Sequence, residues 1–465
     1  MKWIKRLFYL LIILLIAYFA MVLFLPYLNN YQQDGGLTLP DLEKPVTVKR
    51  DEKGMAYIYA ENLHDAIMAQ GFVTAQDRLF QMQLSRLFAQ GRISELAGEK
   101  ARALDTRMRT IGLHRIAKKQ AAMLNQQTHD CFQWYVDGVN GFIKQCPKDV
   151  HLEFKLAGIK PEPWTVTDSL SILYYMGFST SANIKTEIVA QMLIEAVGPD
   201  KAMEIMPINI NPDDPPDKKQ PSPHAGKVSY GFRFFDYEKL LAFTNDRHLR
   251  VGSNNWAVSP RLSTGGKPVL AGDPHLDTRI LPGMWYPLGM ITPKIRIVGA
   301  MIPGLPGFAV GRTSYISVAM TNNYGDMQDL HVETIDPTRP DHYLEGKVSR
   351  PFRVIEEKLK IKDKEAPGGY LEEVIKIRST KRGPVVSEVL KGLETDKVIT
   401  LRWAPVESMG DGIGIFQFIT AKSVNEMHKA LEDNPMLCLN WVFADSSGDI
   451  GYRASGKIPI RSNND

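Results

Sequence analysis

The sequence predicts an α+β protein, helix-rich in its first half and strand-rich in its second, behind one apolar N-terminal helix. Three observations carry this. From Leu63 to Leu96 apolar residues recur at three and four spacing (Ala66, Ala69, Phe72 and Val73, then Leu79, Met82 and Leu87), the period of a helix with one buried face. From Asn255 onward, short alternating or apolar runs are separated by Gly, Pro and Ser turns, as strands are. Between the two lies Pro207 to Arg250, without element periodicity and carrying Pro212, Pro215, Pro216, Pro221, Pro223 and the charge pairs Asp213-Asp214 and Lys218-Lys219. That composition reads as a tether.

The 465 residues, 44% of them hydrophobic, suffice for a large core and for two or three domains. A formal charge of +4 comes without a basic stripe interleaved with aromatics, so no nucleic-acid role is expected. Cys131, Cys146 and Cys438 have no metal-type spacing and read as core thiols, Cys131 with Cys146 being the pairing an oxidising compartment would allow. The chain has no Gly-x-Ser-x-Gly elbow, no His-Glu-x-x-His and no phosphate loop.

Leu7 to Leu25 is apolar apart from its tyrosines, with Lys2, Lys5 and Arg6 before it and Asn29-Asn30 after. It is long enough at helical rise to cross a bilayer, which places the rest of the chain outside the cytoplasm, on the periplasmic or extracellular side. A cleaved signal peptide competes, but its small-x-small site is poor, with aromatics between Ala17 and Ala20. An uncleaved signal anchor over residues 1–28 fits better.

Residues 46–60 read as two strands around an Asp-Glu-Lys-Gly turn, followed by the 63–96 helix. Asp77, Arg78 and Arg86 look like a charge cluster but are read as structural: Asp77 and Arg78 are adjacent and diverge around the helix. Helical segments continue through Tyr135 to Ile143, and after Pro161-Glu162-Pro163-Trp164-Thr165 the pair Asp168-Ser169 reads as a helix N-terminus, its side chains accepting hydrogen bonds from first-turn amides. Its run to Met176 is apolar on most faces and is expected to be central.

After the tether, Asn255 to Val258 and Pro268 to Ala271 flank the turn Ser263-Thr264-Gly265-Gly266, a hairpin signal. A turn around residues 264 and 265 sets Ser253, at the start of a buried strand, opposite His275 or Leu276. A Ser at such a place, after a Gly that ends a tether, suits self-cleavage at Gly252-Ser253, the glycine leaving its own carbonyl open to attack. The hydroxyl takes the acyl group in an N-to-O shift, and water then frees it. The new α-amine has a reference pKa of about 7.7–8.0, near the optimum for a general base, and sits on the residue whose hydroxyl it must activate. A His275 side chain is the alternative base. A triad of Ser253, His275 and Asp273 is disfavoured because Asp273 and His275 are only two apart. Downstream, Ile295 to Thr321 supplies strands separated by Pro303-Gly304-Leu305-Pro306-Gly307, while Lys347 to Lys397 says little.

Three stretches resemble one family. Ser253-Asn254-Asn255-Trp256-Ala257-Val258 with Gly266 to Leu276 is similar to the start of the catalytic chain of penicillin acylases, N-terminal nucleophile hydrolases. Gln70 to Met82 with Arg86 to Gly98 resembles their smaller chain, and Thr321 to Glu333 resembles their oxyanion segment. Asn440 to Asp445 and Gly448 to Tyr452 add two core strands of that family around a Gly turn. The resemblance implies a four-layer αββα sandwich, with a smaller, mostly helical chain (40–206), a spacer (207–252) and the nucleophile chain (253–465) held together as a heterodimer after processing. It implies hydrolysis of a linear amide to a carboxylic acid and an amine, such as a β-lactam nucleus or a homoserine lactone, with the apolar helix lining the acyl pocket. Position by position, the oxyanion amide falls on Asn322, and a structural Ca2+ site falls on Asp326, the Gln328 carbonyl, Asp329 and, from the smaller chain, Glu187. A hard cation takes about six to eight oxygens, and this set begins such a shell.

The chain departs from the pattern in Gly311-Arg312-Thr313, where the family usually has Gly-His-Asn, and in Val318, where it has Trp. Family chains also continue beyond the position matching Asp465, with an Asn that completes the oxyanion hole and a further calcium-binding Asp. The expectation is therefore a fragment, one product of a split gene, or a truncated relative, for which a non-catalytic binding protein on the same fold is the alternative function.

Overall fold

The computed structural model describes residues 2–24, 32, 34–145, 151–181, 183–205, 252–276, 281–390 and 395–461. The expected tether and Cys146 lie outside them. In chain order the elements that build and position the site are α1 (Lys2–Phe24), β1 (Thr47–Arg50), β2 (Ala56–Tyr59), α2 (Leu63–Gln90), α3 (Leu113–Ala121), α4 (Gln126–Gln145), α5 (Val166–Ser181) and α6 (Ile184–Val197). There follow β3 (Ser253–Val258), β4 (Val269–Pro274), β5 (Tyr286–Ile291), β6 (Arg296–Met301), β7 (Val310–Thr313), β8 (Ile316–Asn322) and β9 (Gln328–Glu333). The last are β10 (Arg353–Lys362), β11 (Tyr370–Ser379), β12 (Val398–Trp403), β13 (Leu439–Asp445) and β14 (Ile450–Ala454).

The N-terminal helix begins five residues earlier than the apolar run, since Lys2, Lys5 and Arg6 are good helix formers. Its apolar side chains are exposed, and Trp3–Phe24 is a span of 22 residues, long enough and apolar enough to cross a membrane.

Helix α2 is shorter than its periodicity suggests. Asn62 caps it by accepting the Asp65 N–H at 2.7 Å, and Gly91 ends it at φ 64°, with Arg92 N–H bonded to Leu87 O. That is the left-handed C-terminal cap that favours glycine. Helices α2 and α4 touch backbone to backbone: a Cβ on Gly71 would strike the Tyr135 carbonyl, and one on Gly138 the Met68 carbonyl. Asp77, Arg78 and Arg86 are structural in their contacts. Asp77 pairs with Arg50 at 2.7 Å, Arg78 bonds Gln81 and the Gly283 carbonyl, and Arg86 is buried against Asp168 and the Pro163 carbonyl. Asp168 itself lies in the first turn of α5 rather than before it, accepting the Thr165 N–H while Thr165 Oγ1 accepts the Asp168 N–H.

An eight-stranded sheet runs β1-β2-β5-β6-β7-β8-β13-β14, antiparallel except where β2 pairs parallel with β5. The smaller segment thus contributes two strands to the sheet of the larger one. The helices cover one face, where Val318 and Met320 of β8 and Trp441 and Phe443 of β13 join the main core. Successive strand residues face opposite ways, so Ala319 points to the other face, where the β3-β4 hairpin lies: a Cβ on Gly272 would meet Ala319 Cβ at 2.6 Å. Helix, sheet and hairpin are the successive layers, with strand β9 paired to β12 and a long β10-β11 hairpin tied to the helices through Arg102–Glu373 and Arg109–Glu357.

Candidate active site and cation cluster

Strands β3 and β4 pair as expected in kind but one residue out of the expected register. Ser253 lies opposite Pro274, and the His275 N–H bonds the Gly252 carbonyl at 2.8 Å. The connection holds a short 3-10 turn at Pro260–Leu262, and the pairing centres it between Ser263 and Thr264, one residue before the expected centre. The strand is not buried on both faces either: Trp256 is 51% and Val269 50% exposed, because among the described residues nothing packs on the outer face of the hairpin.

The hairpin is located over the sheet by Asn255, whose Nδ2 donates to Asn440 O (3.1 Å) and Ala319 O (3.4 Å). Its tip points to the turn after β13, where a Cβ on Gly448 would touch Pro260. Two residues back from Asn255, at about 3.3 Å each, Ser253 comes level with the Thr321-Asn322 end of β8. The Ser253 hydroxyl donates to the Gly252 carbonyl oxygen at 2.7 Å.

Asn322 pairs with Leu439 at a position where main-chain groups do not bond across to the main chain of β13, while its carbonyl accepts Asn440 Nδ2 at 3.1 Å. Asn323 N–H bonds Cys438 O and Ser455 N–H bonds Leu439 O, so in the antiparallel alternation the Asn322 N–H points to the β7 side. Along β8, strand β7 pairs with Ser317 and Val318 and does not extend to Asn322. Among the described residues no acceptor is paired with the Asn322 N–H, which leaves a main-chain donor open at the strand end nearest Ser253.

His275 Nε2 and Asp273 Oδ2 are 2.8 Å apart on the surface. Two-residue spacing was an argument against such a pair, but along an extended strand it puts both side chains on one face. The imidazole is not hydrogen-bonded to the Ser253 hydroxyl, so the three residues do not form a relay. Among the described residues glycine is not sterically required at 252: a Cβ there would meet only His275 Nδ1, at 3.5 Å.

The expected cation residues do converge. Ligand oxygens of Glu187, Asp326 and Asp329 lie within 4.8 Å of one another. Glu187, in the first turn of α6, also accepts the Leu330 N–H at 2.8 Å, and burial, with Asp329 and Asp326 beside it, pushes its carboxyl up to about 8. Burial raises the Asp326 carboxyl as well. Arg461 answers part of this charge through Asp326 Oδ2 (3.0 Å) and Asp329 Oδ1 (2.8 Å). Once a divalent cation draws the proton from Glu187, three carboxylates stand against one guanidinium, a surplus that the ion would cancel. The donor set is all oxygen, and a buried Asn183 Oδ1 beside it has no hydrogen-bond partner. These residues fit a hard cation such as Ca2+. Asn183 and Arg461 were missed from sequence; Asn183 precedes Glu187 by four, a spacing that brings side chains together on a helix face.

An apolar cleft opens on the helix face of the sheet, lined by Leu173 and Met176 of α5 with Phe308, Met320, Phe418 and Trp441. Its Pro303–Gly307 wall is held by buried side chains: Gln70 donates to Gly307 O (2.7 Å) and accepts Gly307 N–H (3.0 Å), and Tyr135 OH accepts Gly304 N–H (2.9 Å).

The family model for penicillin amidase matches residues 45–465. The chain belongs to the penicillin amidase family. Among its relatives, the acyl-homoserine lactone acylase QuiP of Pseudomonas aeruginosa is 31% identical over 75% of this chain and 41% of the relative. The penicillin acylase 2 proenzyme of Pseudomonas sp. strain SE83 is 29% identical over 76% of this chain and 45% of the relative. This chain thus spans less than half the length of either. A solved penicillin G acylase from Alcaligenes faecalis is similar with a TM-score of 0.38 and 21% identity, covering 45% of this chain and 36% of that one. Membership brings the N-terminal nucleophile hydrolase fold, to which the helix, sheet and hairpin layers correspond.

Proposed function

We propose that the protein is an amidohydrolase that matures by cleaving its own Gly252-Ser253 bond and then splits linear acyl amides with Ser253. One observation supports the reading: the Gly252-Ser253 peptide sits at a strand end with the His275 N–H already on its carbonyl. In maturation the Ser253 oxygen bonds to the Gly252 carbonyl carbon, the C–N bond breaks, and the hydroxyl proton passes to the departing amine. Water hydrolyses the resulting ester, leaving a Gly252 carboxylate and a free α-amine on Ser253. In turnover that amine takes the hydroxyl proton as the oxygen attacks the substrate carbonyl. The Asn322 N–H faces the oxygen on which negative charge develops, a contribution of about 10²–10³ in rate for one such donor. The substrate amine leaves with a proton, and water releases the acid.

The apolar cleft suits an apolar acyl group, which leaves the amine portion open to variation. A cation held by Glu187, Asp326, Asp329 and the Gln328 carbonyl would supply structural cross-linking between the smaller and larger chains of the processed heterodimer. Helix α1 would anchor the assembly with its catalytic part on the periplasmic or extracellular side. The names of the relatives support two substrate series, acyl homoserine lactones and penicillins. Assaying release of free amine from both by the purified protein tests the reading; turnover of neither, nor of any other N-acyl amine, would favour a binding protein on the same fold.

A further inference from the structure

Asn183 stands at the N-cap of α6, where an Asn side chain ordinarily accepts a hydrogen bond from the first turn. It makes no such bond. The side chain turns into the carboxylate cluster instead. Its Nδ2 lies 2.7 Å from the Gln328 carbonyl oxygen and 3.4 Å from Glu187 Oε1, and also against Asp326 Oδ1. An amide nitrogen carries two hydrogens, and three acceptors surround this one. Meanwhile the amide oxygen is buried without a partner. The nitrogen occupies the point on which the acceptors converge, and the oxygen of the same group is left idle.

We infer that Asn183 is a ligand of the divalent cation at this cluster, presenting Oδ1 to the ion beside Glu187, Asp326, Asp329 and the Gln328 carbonyl. The inference rests on the reading of those four as a cation site. Half a turn about the Cβ–Cγ axis exchanges the amide's nitrogen and oxygen with little change in shape, the torsion being broad and roughly two-fold. Without an ion, an oxygen turned inward would face three other oxygens, so nitrogen-in is the stable state. With a dication where the acceptors meet, oxygen-in adds a fifth donor. Being uncharged, it completes more of a six- to eight-oxygen shell without adding to the repulsion among three carboxylates. The amide's orientation thereby follows the ion, and the cap position is given up for ligation.

Isothermal titration of the purified protein with Ca2+, after chelator treatment, tests this in the wild type, Asn183→Ala, Asn183→Asp and Asp329→Ala. The expected result is saturable binding by the wild type and none by Asp329→Ala. Asn183→Ala should bind about tenfold more weakly, in the range that loss of a supporting ligand costs. Asn183→Asp keeps an oxygen in place and should bind at least as tightly as wild type. Thermal midpoints in chelator show that each variant folds. Equal affinity of wild type and Asn183→Ala, or tenfold weaker binding by a folded Asn183→Asp, would overturn the role of Asn183 while leaving the cation site standing. No saturable binding by the wild type would overturn the site and this inference together.

Discussion

The His275 N–H donates to the Gly252 carbonyl oxygen at 2.8 Å, across the one bond on which the proposed maturation depends. The donor is main chain, so the imidazole is dispensable for that contact. His275→Ala is expected to mature at a rate within a few-fold of wild type, followed as two bands on a denaturing gel. Failure of His275→Ala to mature while it stays folded would make the imidazole the base. The space around Gly252 adds a related expectation: Gly252→Ala matures, while the branched side chain of Gly252→Val slows cleavage.

Chelator should lower the thermal midpoint of the protein, because cation release leaves Glu187, Asp326 and Asp329 crowded together with Arg461 as their cationic partner. Asp329→Ala should remove that sensitivity. An unchanged wild-type midpoint on chelation, read by scanning calorimetry, would count against the site.

Gln70 is fully buried and holds both main-chain groups of Gly307. Gln70→Leu keeps the volume and orphans a buried donor and a buried acceptor, each costing about 1–3 kcal/mol. A loss of about 2–6 kcal/mol in urea unfolding is expected, with altered preference for acyl-chain length because the 303–307 wall of the cleft is freed. A loss under about 0.5 kcal/mol would mean that the loop is held by other contacts.

His114 of α3 carries a pH expectation. Its Nδ1 is 2.9 Å from Ser171 Oγ, whose own hydrogen goes to Thr167 O, so Nδ1–H is the donor. Burial, with Lys118 adding to it, lowers the imidazole to about 4 from an ordinary 6.5. Between those values the unfolded chain binds the proton and the folded one does not, so stability falls as the pH drops from 6.5 towards 4. His114→Gln should flatten that part of the stability curve, and an unaltered slope would assign the acid sensitivity elsewhere.

Much of this was legible in sequence, for identifiable reasons. Period and punctuation gave the helices and the hairpin, and the segments around Ser253 and Thr321 led to residues that the fold brings to one end of the sheet. The hairpin register slipped by one because the turn at 260–262 adds chain that no letter pattern announces. Helix α2 stopped at Gly91, a cap signal outweighed by apolar residues beyond it. The Asp273–His275 contact was discounted on a spacing that a strand makes favourable. Arg461, Gln70 and Tyr135 act across more than a hundred residues of chain, and such partners emerge only from tertiary packing.

The mass of the mature protein tests the central claim most directly, since it needs no knowledge of the substrate. Intact-mass spectrometry of the wild type should find a chain whose N-terminus is Ser253, with the preceding segment on a separate chain or trimmed further. Ser253→Ala should remain one uncut and inactive chain, having lost the attacking oxygen for both reactions, and Ser253→Cys should process while turning over poorly. A wild-type protein that hydrolyses acyl amides with its Gly252-Ser253 bond intact would contradict the account, because the α-amine could not then be the base.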